Sequence, residues 1–112
     1  MADVHGRYIS LPSSEDRRWR LERHLKELGI SDRYRWFTAI RGKAEAAKTR
    51  DLGAGEWGLW QSWIKLLEEE TTSGVKAYDW LHIVEDDVEL STSFPVFCQR
   101  LKREKPDYLI LF

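Results

Sequence analysis

A chain of 112 residues, 42% hydrophobic and 33% charged, has the size of one domain and can bury a modest core. Its 18 basic and 19 acidic side chains leave a formal net charge of -1, which excludes the strong field that draws a protein to nucleic acid or to an anionic membrane. The single cysteine, Cys98, excludes an internal disulfide framework; no stretch approaches the roughly 20 apolar residues of a membrane span, and residues 1–7 lack the apolar run of a signal peptide.

Residues 7–11 are rich in β-forming side chains and are closed by Pro12, which predicts a first strand. Ser13 and Ser14 offer N-caps to a helix, with Asp16 three residues after Ser13 as in a capping box. Leu21, Leu25 and Leu28 recur at the spacing of one buried helical face, and Gly29 is placed to end it. Residues 34–40 predict a second strand and complete a β-α-β unit. Residues 41–54 are polar, small and glycine-containing and read as a loop, in which residues 43–48 are able to form a short helix. Over residues 56–70, Trp57, Trp60, Ile64 and Leu67, beside Leu59, Trp63 and Leu66, give a broad apolar face and predict a well-buried helix.

After a connection over residues 71–79, residues 80–84 make a nearly continuous apolar run of the kind a central parallel strand shows. Ser91, Thr92 and Ser93 open a last helix whose Phe94, Phe97, Cys98 and Leu101 lie on one face, with Pro95 in the first turn. Residues 108–112 read as a further strand. Strands alternating with helices predict an α/β fold, a mainly parallel sheet flanked by helices, with residues 1–112 as a single domain. The sequence stops inside that last strand, so an incomplete domain is expected, prone to self-association through its apolar edge. The six tryptophans read as large core side chains rather than as stacking surfaces for sugars or bases, Cys98 reads as a small core residue, and a cytoplasmic protein is expected.

The chemistry of the chain is concentrated at Glu85, Asp86 and Asp87. Three consecutive carboxylates repel one another, and such a run costs stability unless a cation or a set of donors compensates. The carboxyl end of a parallel strand is also where α/β folds put their ligands. Oxygen-only ligands suit Mg²⁺ or Mn²⁺, and a cation there would neutralise a diphosphate. The alternative is a solvated acidic turn capping the next segment. His82 reads as a hydrogen-bonded core or surface histidine rather than a ligand, and neither His5 near Asp3 nor His24 near Glu27 has an evident third partner. Serine and cysteine nucleophile signatures, a phosphate loop and a dinucleotide fingerprint are all missing, so acyl transfer, kinase and dehydrogenase readings lack support.

Four separated blocks go further: Tyr8-Ile9-Ser10-Leu11 followed by Asp16-Arg17-Arg18; Phe37-Thr38-Ala39-Ile40-Arg41-Gly42; Gly55-Glu56-Trp57-Gly58 with Ser62; and His82-Ile83-Val84-Glu85-Asp86-Asp87. In order and spacing, over nearly the whole chain, they resemble the family 25 glycosyltransferases, the group that includes lipopolysaccharide galactosyltransferases and the related collagen-modifying enzymes. The pattern departs from that family at Arg41, where an acidic residue is usual, and at Trp63, which replaces a histidine.

The resemblance implies a GT-A-like, Rossmann-related fold and the inverting transfer of a hexose such as galactose. It implies a nucleotide-sugar donor, often a UDP-hexose, a saccharide or glycoconjugate acceptor, and Mn²⁺ or Mg²⁺. Under it, Glu85 and Asp87 contact the metal directly or through water, Asp86 faces the donor's ribose or sugar, and Ser10, Leu11, Ala39 and Ile40 wall the nucleotide pocket. Arg17 either meets phosphate or pairs with nearby acid at the surface. The acceptor site and the catalytic base are expected beyond residue 112, so the chain reads as the donor-binding half, inactive in transfer by itself. Two other readings stay open: a non-catalytic nucleotide-binding or interaction module derived from such an enzyme, and a metal-dependent phosphoesterase.

Overall fold

The computed structural model describes residues 4–42, 53–72 and 80–101. Strand β1 (Val4–Ser10) is buried at alternate positions at first and continuously over Tyr8, Ile9 and Ser10, the pattern of a strand covered on both faces. Strand β2 (Tyr34–Thr38) pairs with it in parallel, from Gly6 opposite Tyr34 to Ser10 opposite Thr38. On its other side β3 (Trp80–Glu85) runs parallel too, from Val4 opposite Trp80 to Ile9 opposite Glu85. Among the described residues the sheet is therefore all-parallel with the order β2-β1-β3, the α/β arrangement expected.

Among the described residues β1 has a strand on each side, and the apolar run of residues 80–84 pairs with β1 alone. A continuous apolar run reports cover on both faces of a strand, not neighbours on both edges. The strand expected over residues 108–112 and the short helix considered over residues 43–48 fall outside the described residues.

Parallel neighbours need a crossover, and α1 (Glu15–Glu27) supplies it between β1 and β2. Leu21 and Leu25 are buried as their spacing predicts. Ser14 is the N-cap but its side chain makes no capping bond, so the expected capping box between Ser13 and Asp16 is not formed. The Ser13 hydroxyl instead accepts from the Arg41 guanidinium at 3.0 Å. At the other end Gly29 takes φ 75°; its N–H donates to Lys26 O and that of Ile30 to Leu25 O, each at 3.0 Å. This Schellman closure turns the chain back and delivers Ile30 to the core.

Helices α1 and α3 (Phe94–Arg100) cover one face of the sheet, where Val4, Tyr8, Leu21, Leu25, Tyr34, Val84, Phe94 and Cys98 form the larger core. Helix α2 (Ala54–Thr72) covers the other, over Ile9, Phe37 and Leu66. Its buried stripe is Gly58, Ser62, Leu66 and Glu70, whereas Trp60, Trp63, Ile64 and Leu67 are exposed. This overturns the expected broad buried face. The helix approaches the segment after β2 through the small residues Gly58 and Ser62 and meets the sheet through Leu66 and Glu70 four and eight positions on, and that close approach leaves no room for indole rings in the stripe. The tryptophans are misread for the same reason: Trp19, Trp36, Trp60 and Trp63 are exposed, and Trp57 and Trp80 are half-buried. Near the far end of α2, buried Glu70 accepts from Arg7 of β1 at 2.7 Å, with His5 at 3.1 Å. Among the described residues no helix is long and apolar enough to cross a membrane.

Candidate functional site

The three strands end side by side at Ser10, Thr38 and Glu85, and a cleft of about 510 Å³ opens there. It gathers Ser10 and Leu11 from the end of β1, Arg17 from α1, Ala39 from beyond β2, and Glu85 and Asp86 from the end of β3. All six are residues named from the sequence. Asp87 is not with them; it lines a neighbouring cavity of about 370 Å³, to which Arg17 and Asp86 also contribute.

The wall opposite the acidic turn was not foreseen. A Cβ on Gly58 would strike the backbone of Ile40 and Gly42, and one on Gly42 would strike Ala54 O and Gly58 N. Only glycine at both positions lets the two backbones touch. Beside them the buried Ser62 hydroxyl accepts from Ile40 N–H and donates to Gly58 O, both at 2.8 Å. The second and third sequence blocks are thus the two sides of one contact. The signal available in the sequence was the pair of small residues, Gly58 and Ser62, four apart in an otherwise bulky helix. This contact brings the first turn of α2, Ala54 to Glu56, to the cleft, together with the partial positive charge of a helix start. Arg41 and Arg17 line the same cleft. Trp63, which replaces the family's histidine, lies on the exposed side of α2 and not among the cleft-lining residues.

The acidic turn itself is unevenly held. Ser10 Oγ donates to Asp86 Oδ2 at 2.8 Å, and Arg17 Nη1 stands 3.8 Å from Asp86 Oδ1. The Asp86 side chain is only 10% exposed, against 64% for Arg17, so Arg17 makes a loose ion pair from a solvated position. The residue built into the fold is Arg18. It is buried, donates to Leu11 O at 2.9 Å, approaches Ser10 Oγ at 3.5 Å and lies 3.9 Å over the Trp36 ring. The Trp36 indole N–H donates to Ser10 O at 2.9 Å. Arg18 and Trp36 together fix the Ser10-Leu11 rim, a role the sequence reading did not assign to them.

The Glu85 carboxyl is shifted above its ordinary pKa, first by partial burial, then by the charges of Asp87 and Asp86. This is the mutual repulsion expected of the run. Among the described residues no three His, Cys, Asp or Glu side chains stand together as a metal cage. Since Asp86 is engaged by Ser10 and Arg17, Glu85 and Asp87 remain as hard oxygen donors. One or two carboxylates completed by phosphate oxygens and water is the donor set Mg²⁺ accepts, so the turn fits a cation carried with a nucleotide and not a closed protein site.

The histidines have structural partners. His82 Nδ1 is 2.6 Å from the Tyr34 hydroxyl and its ring stacks on Phe94 at 5.0 Å; burial pulls its pKa down to about 4. His5 stands 3.1 Å from Glu70, and His24 binds the Leu90 backbone. No family model matches this chain, and no curated protein or solved structure matches it either.

Proposed function

We propose that this chain is the donor-binding part of a metal-dependent glycosyltransferase that moves a hexose, with inversion, from a nucleotide sugar to a saccharide or glycoconjugate acceptor. The observation that carries the reading is the meeting of residues from all four sequence blocks around one cleft at the carboxyl ends of parallel strands. Its volume of about 510 Å³ lies within the range of small-molecule sites, roughly 300–1,000 Å³.

Each part of the cleft suits a different part of a sugar nucleotide. Arg17 and Arg41 are donors for diphosphate oxygens, which the partial positive charge at the start of α2 also attracts. Asp86, oriented by Ser10, is an acceptor for a ribose or sugar hydroxyl. Glu85, which lines the cleft, and Asp87, through water from the neighbouring cavity, would hold the divalent cation, which when bound offsets the charge that develops on the departing nucleoside diphosphate. Ser10 and Leu11, fixed by Arg18 and Trp36, give the nucleotide a rigid wall.

Calorimetry with UDP, with and without Mn²⁺, tests the assignment. Binding is expected only with the metal, and Asp87→Asn is expected to remove it while leaving the thermal unfolding of the apo protein unchanged, because relieving a repelled carboxylate need not destabilise it. Metal-independent affinity, or no affinity, overturns the proposal.

A further inference from the structure

On the far side of Asp86 from the donor cleft, the cavity of about 370 Å³ lies between α1 and the chain that follows β3. One wall carries Arg20 and Arg23, one turn apart on α1; the other carries Asp87 and Glu89. His24 fixes the width of the groove: its Nε2 is 2.7 Å from Leu90 O and 3.1 Å from Leu90 N, tying the segment after β3 to the helix. Across this gap donors and acceptors remain unengaged. The side chains of Arg20, Arg23, Asp87 and Glu89 make no hydrogen bond or ion pair with any described residue.

The charge around the groove selects a class of ligand. An anion would be attracted by the arginines but would also meet Glu27, Asp86, Asp87 and Glu89, and a cation would meet the arginines. A neutral molecule rich in hydroxyls suffers neither repulsion, because each hydroxyl can accept from a guanidinium and donate to a carboxylate. Such bonds to charged groups are the stronger kind. Leu21 and Val88 add apolar surface for the C–H face of a ring.

We infer that this groove binds a neutral saccharide of one or two rings, held between the Arg20 and Arg23 guanidiniums and the Glu89 carboxylate. The groove and the donor cleft share only Arg17 and Asp86. Its service as the acceptor subsite rests on the donor reading proposed above; the binding itself does not.

The test is a titration of the isotope-labelled chain, without nucleotide or metal, followed by the backbone amide signals of Val88 and Glu89. The probes are D-galactose, D-glucose and N-acetyl-D-glucosamine, with D-glucuronate and choline as charged comparators. At least one neutral sugar is expected to give saturable shifts, weakened at least about tenfold in the double variant Arg20→Ala, Arg23→Ala. Both arginines are exposed, so the variant is expected to fold, with unchanged Leu90 signals as the check; Glu89→Gln, which keeps the side-chain shape, is expected to weaken binding too. No saturable shift with any of the three sugars, shifts that all these variants retain, or tighter binding of glucuronate or choline overturns the inference. Loss of UDP binding with the sugar shifts intact sinks the donor reading alone, and the reverse result sinks only this one.

Discussion

His82 occupies a position where charging it would break the surrounding packing. It lies between Tyr34 and Phe94, and burial lowers its pKa to about 4 from an ordinary 6.5. The folded chain therefore keeps the imidazole neutral where the unfolded chain takes up a proton. Its contribution is fully present above about pH 6.5 and is lost as pH falls toward 4, by up to about 3 kcal/mol at 1.36 kcal/mol per pKa unit. Urea unfolding across that range is expected to show the decline. His82→Asn, which keeps an acceptor for the Tyr34 hydroxyl, is expected to flatten it; an unchanged slope would assign the decline to another group. Glu85 acts with the opposite sign, since its raised pKa makes its ionisation unfavourable to folding as pH rises. Sequence alone read His82 as a hydrogen-bonded histidine rather than a ligand but left core and surface both open; the Tyr34 and Phe94 contacts decide between them.

At the scale of elements, α2 is decided by one stripe of contact. Its intrinsic preference would be served by alanine at either Gly55 or Gly58, worth about 0.5–1 kcal/mol per glycine replaced. The structure separates the two. A Cβ at Gly55 meets nothing within 4 Å, whereas one at Gly58 strikes the backbone of Ile40 and Gly42, which cannot move aside as a side-chain tip can. Gly55→Ala is expected to be neutral or stabilising, and Gly58→Ala to cost at least about 2 kcal/mol, both read from urea midpoints. Equal effects at the two positions would mean that α2 does not rest on this contact. The helix was legible from its period; the face it buries was not, because residues large enough to look like core ended up beside the contact and not in it.

At the scale of the whole molecule, Trp60, Trp63, Ile64 and Leu67 follow i, i+3, i+4, i+7 along the exposed side of α2. An apolar stripe of this kind is unfavourable in water and favours association. Size-exclusion chromatography with light scattering is expected to show an apparent mass that rises with concentration. Trp60→Gln with Leu67→Gln, both at exposed positions, is expected to reduce that rise without lowering stability. Association unaffected by the pair would locate the sticky surface elsewhere, such as the strand edge first suspected from the sequence.

What the sequence by itself determined are features set by near neighbours along the chain. These are the strand and helix periods, the Gly29 stop, the core role of Cys98, and an acidic run at a strand's end. Each depends on residues within one or two turns, where local geometry leaves little choice. Tertiary structure alone decided that, among the described residues, β1 has a strand on each side, that Gly42 and Gly58 touch, and that Arg18 and Trp36 brace Ser10. It alone divided the acidic run, turning Glu85 into the larger cleft and Asp87 into the smaller groove beside it. These outcomes join residues that are distant in sequence, and they follow from which backbones can approach closely, a property of pairs that no single segment carries.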